Sequence, residues 1–277
     1  MPLRISTNLS SISAQRHLSK SQERAEHSLK ALASGSRIVS AGDDAAGLAI
    51  SETLRGQLSG LRQSRINAEN EVSLIQVAEG GLNEQNNILI RLLELGIQAA
   101  SDTVSDRERE YLDKEFSSLV EELDRIALTT TFGNKALLQG TGEQFEFQIG
   151  PDSGPESVVS YVLDSDSRAD TLGVAGLTVV DQSDARSSLS SIDDAIDRIS
   201  EIRADFGAFQ SRFHAAASNL DIQYENIAAA RARIYDVDVA HETSELSAAQ
   251  ITQEAGIAVL AQANQMPMRA SRLINLV

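Results

Sequence analysis

The amino-acid sequence predicts a mainly α protein. Its expected form is a long antiparallel helical bundle, rod-like and coiled-coil-like, with a small β-hairpin insert and terminal helices paired as a coiled coil. Three observations predict this. The four prolines, Pro2, Pro151, Pro155 and Pro267, leave residues 3–150 and 156–266 free of the residue that most often interrupts a helix. Apolar residues recur at heptad spacing through both stretches. The interior Pro/Gly punctuation gathers between them, in residues 140–185.

The first element is a helix whose start is uncharged over residues 5–15. It shows Ile5, Leu9 and Ile12, then Leu18, Ala25, Leu29 and Leu32. The stretch "SGSRIVSAGDDAAGLAIS", Ser34 to Ser51, then reads as stop, linker and restart. Gly35 suits a left-handed helix end. Ser40, Asp43 and Asp44 suit the N-cap or first turn of a helix running from Ala45. Adjacent aspartates lack the alternating oxygen ligands of a calcium loop, so capping is the favoured role.

The second helix carries Leu54, Leu61, Ala68, Ile75, Leu82 and Leu89 every seven residues, with Leu58, Val72 and Leu93 as companions. A break is expected near "SDTVSD", Ser101 to Asp106. A third, shorter helix with Leu112, Phe116, Leu119, Leu123 and Ile126 folds back beside it. In the middle region "FEFQI" and "SVVSYVL" read as two strands joined by a Pro/Gly-rich turn, and "LTVV", Leu177 to Val180, as a further strand. The next long helix carries Ile192, Ile199, Phe206, Phe213, Leu220, Ile227 and Ile234, with Leu189, Ile196, Ala217 and Tyr224 as companions. The two long helices are expected to run 45–50 residues, roughly 70 Å each.

Residues 246–268 carry only Glu254 as a charge. On a helical wheel Ile251, Ala255 and Ala258 fall on one side, and Leu246, Ile257 and Leu260 almost opposite. A helix apolar on two sides must be buried on two sides, and one partner helix cannot cover both. Other copies of the chain are the predicted cover; the alternative is a helix buried in a single globular core.

The formal net charge is −16, from 24 basic and 40 acidic residues, the wrong sign for a nucleic-acid binder. The charge is uneven: residues 1–66 are net +4 and the remainder net −20. A basic arm on an acidic body could pair with other copies of the chain, but charge alone favours a scattering of solvated charges. No cysteine is present, which excludes disulfides and thiolate chemistry. No apolar run is long enough to span a membrane. The start "MPLRISTNLSSISAQRHL" has no apolar h-region, so a Sec-type leader is not expected and an extracellular role needs another export route. His17, His27, His214 and His241 are scattered, "HETSE" lacks the second histidine of a zinc helix, and no GxSxG, P-loop or GxGxxG occurs. No enzyme, metal or cofactor is therefore expected.

The blocks "STNLSSISAQRHLSKSQ", "LASGSRIVSAGDDAAGLAIS", "NAENEVSLIQVAEGGLNE" and "QAASDTVSDRERE", with "ARARIYDVDVAHE" and "AQANQMP" near the other end, resemble those of bacterial flagellins in order and spacing. The resemblance covers roughly residues 1–140 and 185–277. It implies a filament subunit giving motility. Residues 1–40 plus 240–277 would form an inner terminal-helix domain lining the filament channel, with Ile5, Leu9, Ile12, Ile251, Ala255, Ile257 and Leu260 in the polymerisation core. Residues 41–239 would form the outer rod domain, with 140–185 as its β-hairpin insert, and Gly35, Asp43 and Asp44 in the connector between layers. It implies ordering of the termini on polymerisation, and export through the flagellum's own secretion channel.

Implied partners are further copies of the chain, the export apparatus and an export chaperone, the filament cap, and hook-junction proteins. A vertebrate toll-like receptor joins them through Arg91, Glu94, Leu95 and Glu115 in and beyond "IRLLELGIQAA". Leu93 stands where many recognised flagellins carry a second arginine, and an exposed ion pair explains Arg91 and Glu115 without a receptor. Phe132-Gly133-Asn134 replaces the family's Phe-Asn-Gly; either order suits a turn. A hook–filament junction protein shares the terminal architecture, but such proteins usually carry a proline in the region of Asp44-Ala45-Ala46, which has none.

Overall fold

The computed structural model describes residues 7–274, with side chains described through Met268. In chain order the elements are α1 (Leu9–Ser34), α2 (Ala45–Ala99), α3 (Asp106–Thr129), β1 (Thr131–Phe132), β2 (Lys135–Ala136), β3 (Gln144–Gln148), a 3₁₀ turn (Pro155–Ser157), β4 (Val158–Val162), α4 (Ala169–Leu172), α5 (Gln182–Tyr235) and α6 (Val239–Ile274). The architecture is mainly helical, with α1 paired to α6 and α2 to α5, and small two-stranded sheets as inserts. The long helices are 55 and 54 residues, slightly longer than the heptads suggested. The chain divides into two compact units, Met1–Leu58 with Asn226–Val277, and Ser59–Glu225.

In the unit Ser59–Glu225 the first heptad series of α2 is buried as the spacing predicts: Leu61, Ala68, Ile75, Leu82 and Leu89. The second series differs from expectation. Leu58, Val72 and Leu93 are only half-buried, at the margin of the seam. The inward series lies three residues after the first one: Ser64, Ala78, Gln85, Leu92 and Ala99 are buried, and Glu71 is half-buried among them. The same shift holds on α5. Ile192, Ile199, Phe206, Phe213 and Leu220 are buried, and Ser188 and Ala195 share the seam, while Leu189 and Ile196 lie at its edge. Small residues occupy these positions because the helices come close: a Cβ added to Gly96 would lie 2.9 Å from Leu189 Cδ2.

The break after α2 falls where expected. Ser105 and Glu108 form a capping box opening α3, with the Ser105 amide donating to Glu108 Oε2 at 2.8 Å. Buried Arg109 donates to the carbonyls of Ala99 and Ser101, closing the end of α2. Phe116, Leu123 and Ala127 bury the inner face of α3.

β1 and β2 form a minimal hairpin around Gly133, whose φ of 61° is the left-handed conformation such a turn uses. β3 and β4 pair antiparallel from Gln144↔Val162 to Gln148↔Val158, as predicted. Their inner face buries Phe145 and Val159. Tyr161 stacks edge-on against Phe209 of α5 at 4.4 Å, and Phe147 against Phe213 at 5.7 Å. Leu177–Val180 is not a strand. Val179 is buried, with its amide donating to Asp113 Oδ1 of α3 at 2.8 Å, Leu177 is half-buried and Val180 is exposed.

Gln85 ties three segments together. Its Nε2 donates to the carbonyl of Leu123 in α3 and to that of Ser167 in the insert.

Candidate functional site

The remaining unit is built on α1 and α6, which run antiparallel. Their seam is made of short side chains. α1 contributes Ser11, Ala14, Ser21, Ala25 and Ser28, and α6 contributes Ala249 and Ala263, all buried. Gly256 faces Leu18, and a Cβ there would meet Leu18 Cδ1 at 3.5 Å, an ordinary contact. With so little side-chain bulk, polar groups set the register. Ser21 Oγ donates to the Ala249 carbonyl at 2.9 Å and lies 2.6 Å from Thr252 Oγ1. Ser11 Oγ donates to Asn264 Oδ1 at 2.9 Å.

Asn8 acts at both helices. Its Oδ1 accepts from the Ser11 amide, capping α1. Its Nδ2 donates to the Ala263 carbonyl at 2.8 Å. α6 continues through Pro267 to Ile274, beyond the proline-free stretch. Proline has no N–H to give the carbonyl four residues before it, which is that of Ala263. Asn8 supplies the missing donor.

Many of the large apolar side chains of the pair are exposed, while Leu18, Leu32 and Leu246 are half-buried. Leu9 is 60% exposed, Ile12 46%, Ile251 66% and Ile257 53%, and Val259 and Met266 share the exposure. Ala255 is exposed too, whereas Leu260 is half-buried in step with Gly256 and Ala263. Ile5 lies outside the described residues. The wheel therefore located the apolar residues but not the seam, which Ser, Ala and Gly occupy. Single exposed apolar residues are ordinary; here they recur along both members of one helix pair.

The connectors join within the same unit. Gly35 ends α1 in the left-handed conformation, φ 69°. Ser36 and Asp236 form an antiparallel bridge, with Arg37 N donating to the Tyr235 carbonyl and Val237 N to that of Gly35. Arg37 Nε and Nη2 both donate to the Ile234 carbonyl in the last turn of α5, where a cation suits the helix dipole. Asp44 accepts from Gly47 N at 2.8 Å and so caps α2. A Cβ at Gly47 would lie 2.3 Å from Asp44 Oδ2, so a larger residue would push the capping carboxylate aside. Asp43 closes the preceding turn by accepting from Val39 N and Ser40 N, and lies 3.8 Å from His27 Nδ1. Those amide hydrogen bonds, Ser40's foremost, hold its carboxyl below the ordinary range.

In the other unit Arg91 gathers two carboxylates. It donates to Glu115 Oε1 from Nε and Nη2 at 3.0 and 2.8 Å, and to Glu94 Oε2 at 2.9 Å. All three side chains are about half exposed. Leu95 is 1% exposed and packs in the core beneath them.

Sequence reasoning missed Asn8, Ser21 and Arg37. Asn8 carried a local signal, being a good N-cap residue before an apolar run. Their long-range partners had none.

Among the described residues no helix is long and apolar enough to cross a membrane, and no group of three or more metal-ligating side chains is gathered. The family model for the bacterial flagellin N-terminal helical region matches residues 5–143, and that for the C-terminal helical region matches residues 189–276. The chain is 39% identical to a flagellin of Halalkalibacterium halodurans, over 98% of this chain and 99% of that one. It is 36% identical to the flagellar filament 30.7 kDa core protein of Treponema maltophilum, with the same coverage. It is also 36% identical to a flagellin of Bacillus subtilis, over 98% of this chain and 100% of that one. Among solved structures, Bacillus cereus flagellin matches 60% of this chain and 94% of its own, at TM-score 0.50 and 28% identity. A putative flagellar hook-associated protein of Vibrio parahaemolyticus shares the fold, at TM-score 0.59 and 13% identity over 70% of this chain.

Proposed function

Because the chain belongs to the bacterial flagellins, structural and non-enzymatic subunits of the flagellar filament, we propose that it polymerises by covering the outward apolar faces of α1 and α6 with those of neighbouring copies. The observation carrying this is the exposure of Leu9, Ile12, Ile251 and Ile257 on a helix pair whose seam is already filled by small residues. Leu260 contributes by holding the pair together, and Ala255 by letting a neighbour approach closely. On this reading residues 1–40 and 240–277 form the inner layer lining the channel and residues 41–239 the outer one. Gly35, Asp43 and Asp44 shape the connector between them. The end segments order fully as copies add, so that folding and association are coupled.

The same reading makes the export apparatus and its chaperone, the filament cap and the hook-junction proteins its transient partners. A toll-like receptor would meet Arg91, Glu94 and Glu115, with Leu95 setting the helix position beneath rather than touching the receptor. A hook–filament junction role shares the fold alone; the relatives matched along nearly their full length carry flagellin or filament names.

Seeded polymerisation of the purified chain tests the proposal. Removal of residues 1–40 or 240–277 should abolish filaments. Long filaments from either truncated chain would refute it, as would equal protease cleavage of the ends in monomer and polymer. Counting copies separates the roles: thousands per flagellum for a filament subunit, one ring for a junction protein.

A further inference from the structure

We propose that Glu71 is a proton-binding site that sets how firmly the β3–β4 hairpin docks on the helices: its carboxyl holds a proton more tightly while the hairpin is seated than once the hairpin lifts. Glu71 belongs to the inward series of α2, between Ser64 and Ala78, where a coiled-coil seam ordinarily places an apolar residue. It lines a small, partly open apolar cavity beneath the hairpin with Ile75 of its own helix, Phe145, Phe147 and Tyr161 of the hairpin, and Phe206 and Phe213 of α5. The cavity measures ≈ 10 Å³, room for one water at most.

Among the described residues Glu71 has no hydrogen-bond or ion-pair partner, which distinguishes it from the chain's paired carboxylates. The charged groups around it do not neutralise it. Lys135 of β2 is the cation that acts on it, but its Nζ sits 4.1 Å over the Phe145 ring and 4.0 Å from Glu143. From β4, Tyr161 offers a phenol engaged with Ser165 at 3.0 Å. From α5, the cavity is met by aromatic rings, with Asp205 beside them as a further negative charge that acts on Tyr161. Burial raises the Glu71 carboxyl from 4.5 to about 7, with Lys135 opposing.

The sign follows. The seated hairpin binds a proton that the lifted hairpin releases, so seating is strongest below pH 4.5 and weakens as pH rises toward 7. Above that the carboxylate is ionised in both states and the dependence levels off. The device needs only one chain and is independent of polymerisation.

The test is amide hydrogen exchange of the hairpin in the full-length monomer, corrected for intrinsic rates, alongside ¹³C titration of the Glu71 carboxyl. Protection at Phe145, Phe147, Val159 and Tyr161 should fall by at least about tenfold between about pH 5.5 and about pH 8.5. Glu71→Gln should make it flat. Lys135→Met should move the midpoint upward. A carboxyl that titrates near 4.5 in the wild-type chain overturns the proposal, and so does an unchanged pH dependence in Glu71→Gln.

Discussion

Asn8 donates from Nδ2 to the carbonyl of Ala263 at 2.8 Å, the carbonyl that Pro267 leaves without a helical donor. One side chain thus caps α1 and completes α6. Asn8→Asp keeps the cap but loses the donor. It should cost about 1–2 kcal/mol of α1·α6 pairing, read as lower helical content of the end segments and slower seeded growth. In a Pro267→Ala background, where the backbone supplies its own N–H, the cost should shrink by about half or more. Equal costs in the two backgrounds would break the link between Asn8 and Pro267.

The exposed and the seam residues of α6 should behave differently. Ile251→Lys and Ile257→Lys change side chains that touch little within the chain, so monomer stability should move by no more than about 0.5 kcal/mol. Elongation onto seeds should nevertheless stop. Leu260→Lys buries part of a charge against α1 and should reduce the helicity of the monomer itself. Circular dichroism beside a sedimentation assay separates the two effects.

Gln85 holds α2, α3 and the insert through two buried carbonyls. Gln85→Leu removes the side-chain donor from both carbonyls, that of Leu123 keeping its place in the α3 helix and that of Ser167 losing its tie to α2. It should cost about 2 kcal/mol and lower the melting temperature by roughly 5 °C. Scanning calorimetry measures the shift; a loss under about 1 kcal/mol would mean that these carbonyls find other donors.

Asp166 titrates in the sense opposite to Glu71. Arg168's side-chain hydrogen bonds lower its carboxyl most, and those from Thr171 and the Arg168 amide lower it further, while burial opposes them. Stability from these contacts is complete above the ordinary value of 3.8 and is lost as pH falls through the lower folded value. Acid should therefore loosen residues 163–172, and Asp166→Asn should loosen them at every pH. Proteolysis of that loop at about pH 3 and about pH 6 compares the states.

Much of the fold was legible because one heptad series is plainly apolar. Leu61, Ile75, Leu82 and Leu89, with Ile192 to Leu220 opposite, needed no further information. The second series was hidden because Ser64, Glu71 and Gln85 look like surface residues, and Leu58, Val72 and Leu93 drew attention to the margin instead. A pattern of apolarity finds where hydrophobic side chains recur; it does not find where backbones come too close for them. The same limit governs the ends, where Ser21, Ala25 and Ala249 form the seam while Leu9 and Ile251 face out. The turn chemistry at Gly35 and Asp44 was readable locally. The partners of Arg37 and Asn8 were not, since they lie some 200 residues or more away along the chain.

The buried alanines of the seam between α1 and α6, Ala14, Ala25 and Ala249, leave little slack. Alanine has no rotamers, so an added methylene there cannot be accommodated by the side chain swinging aside. It must displace an entire helix, carrying Ile251 and Ile257 with it relative to Leu9 and Ile12. Substitutions that never reach solvent can in this way misalign the outward faces by an ångström or more.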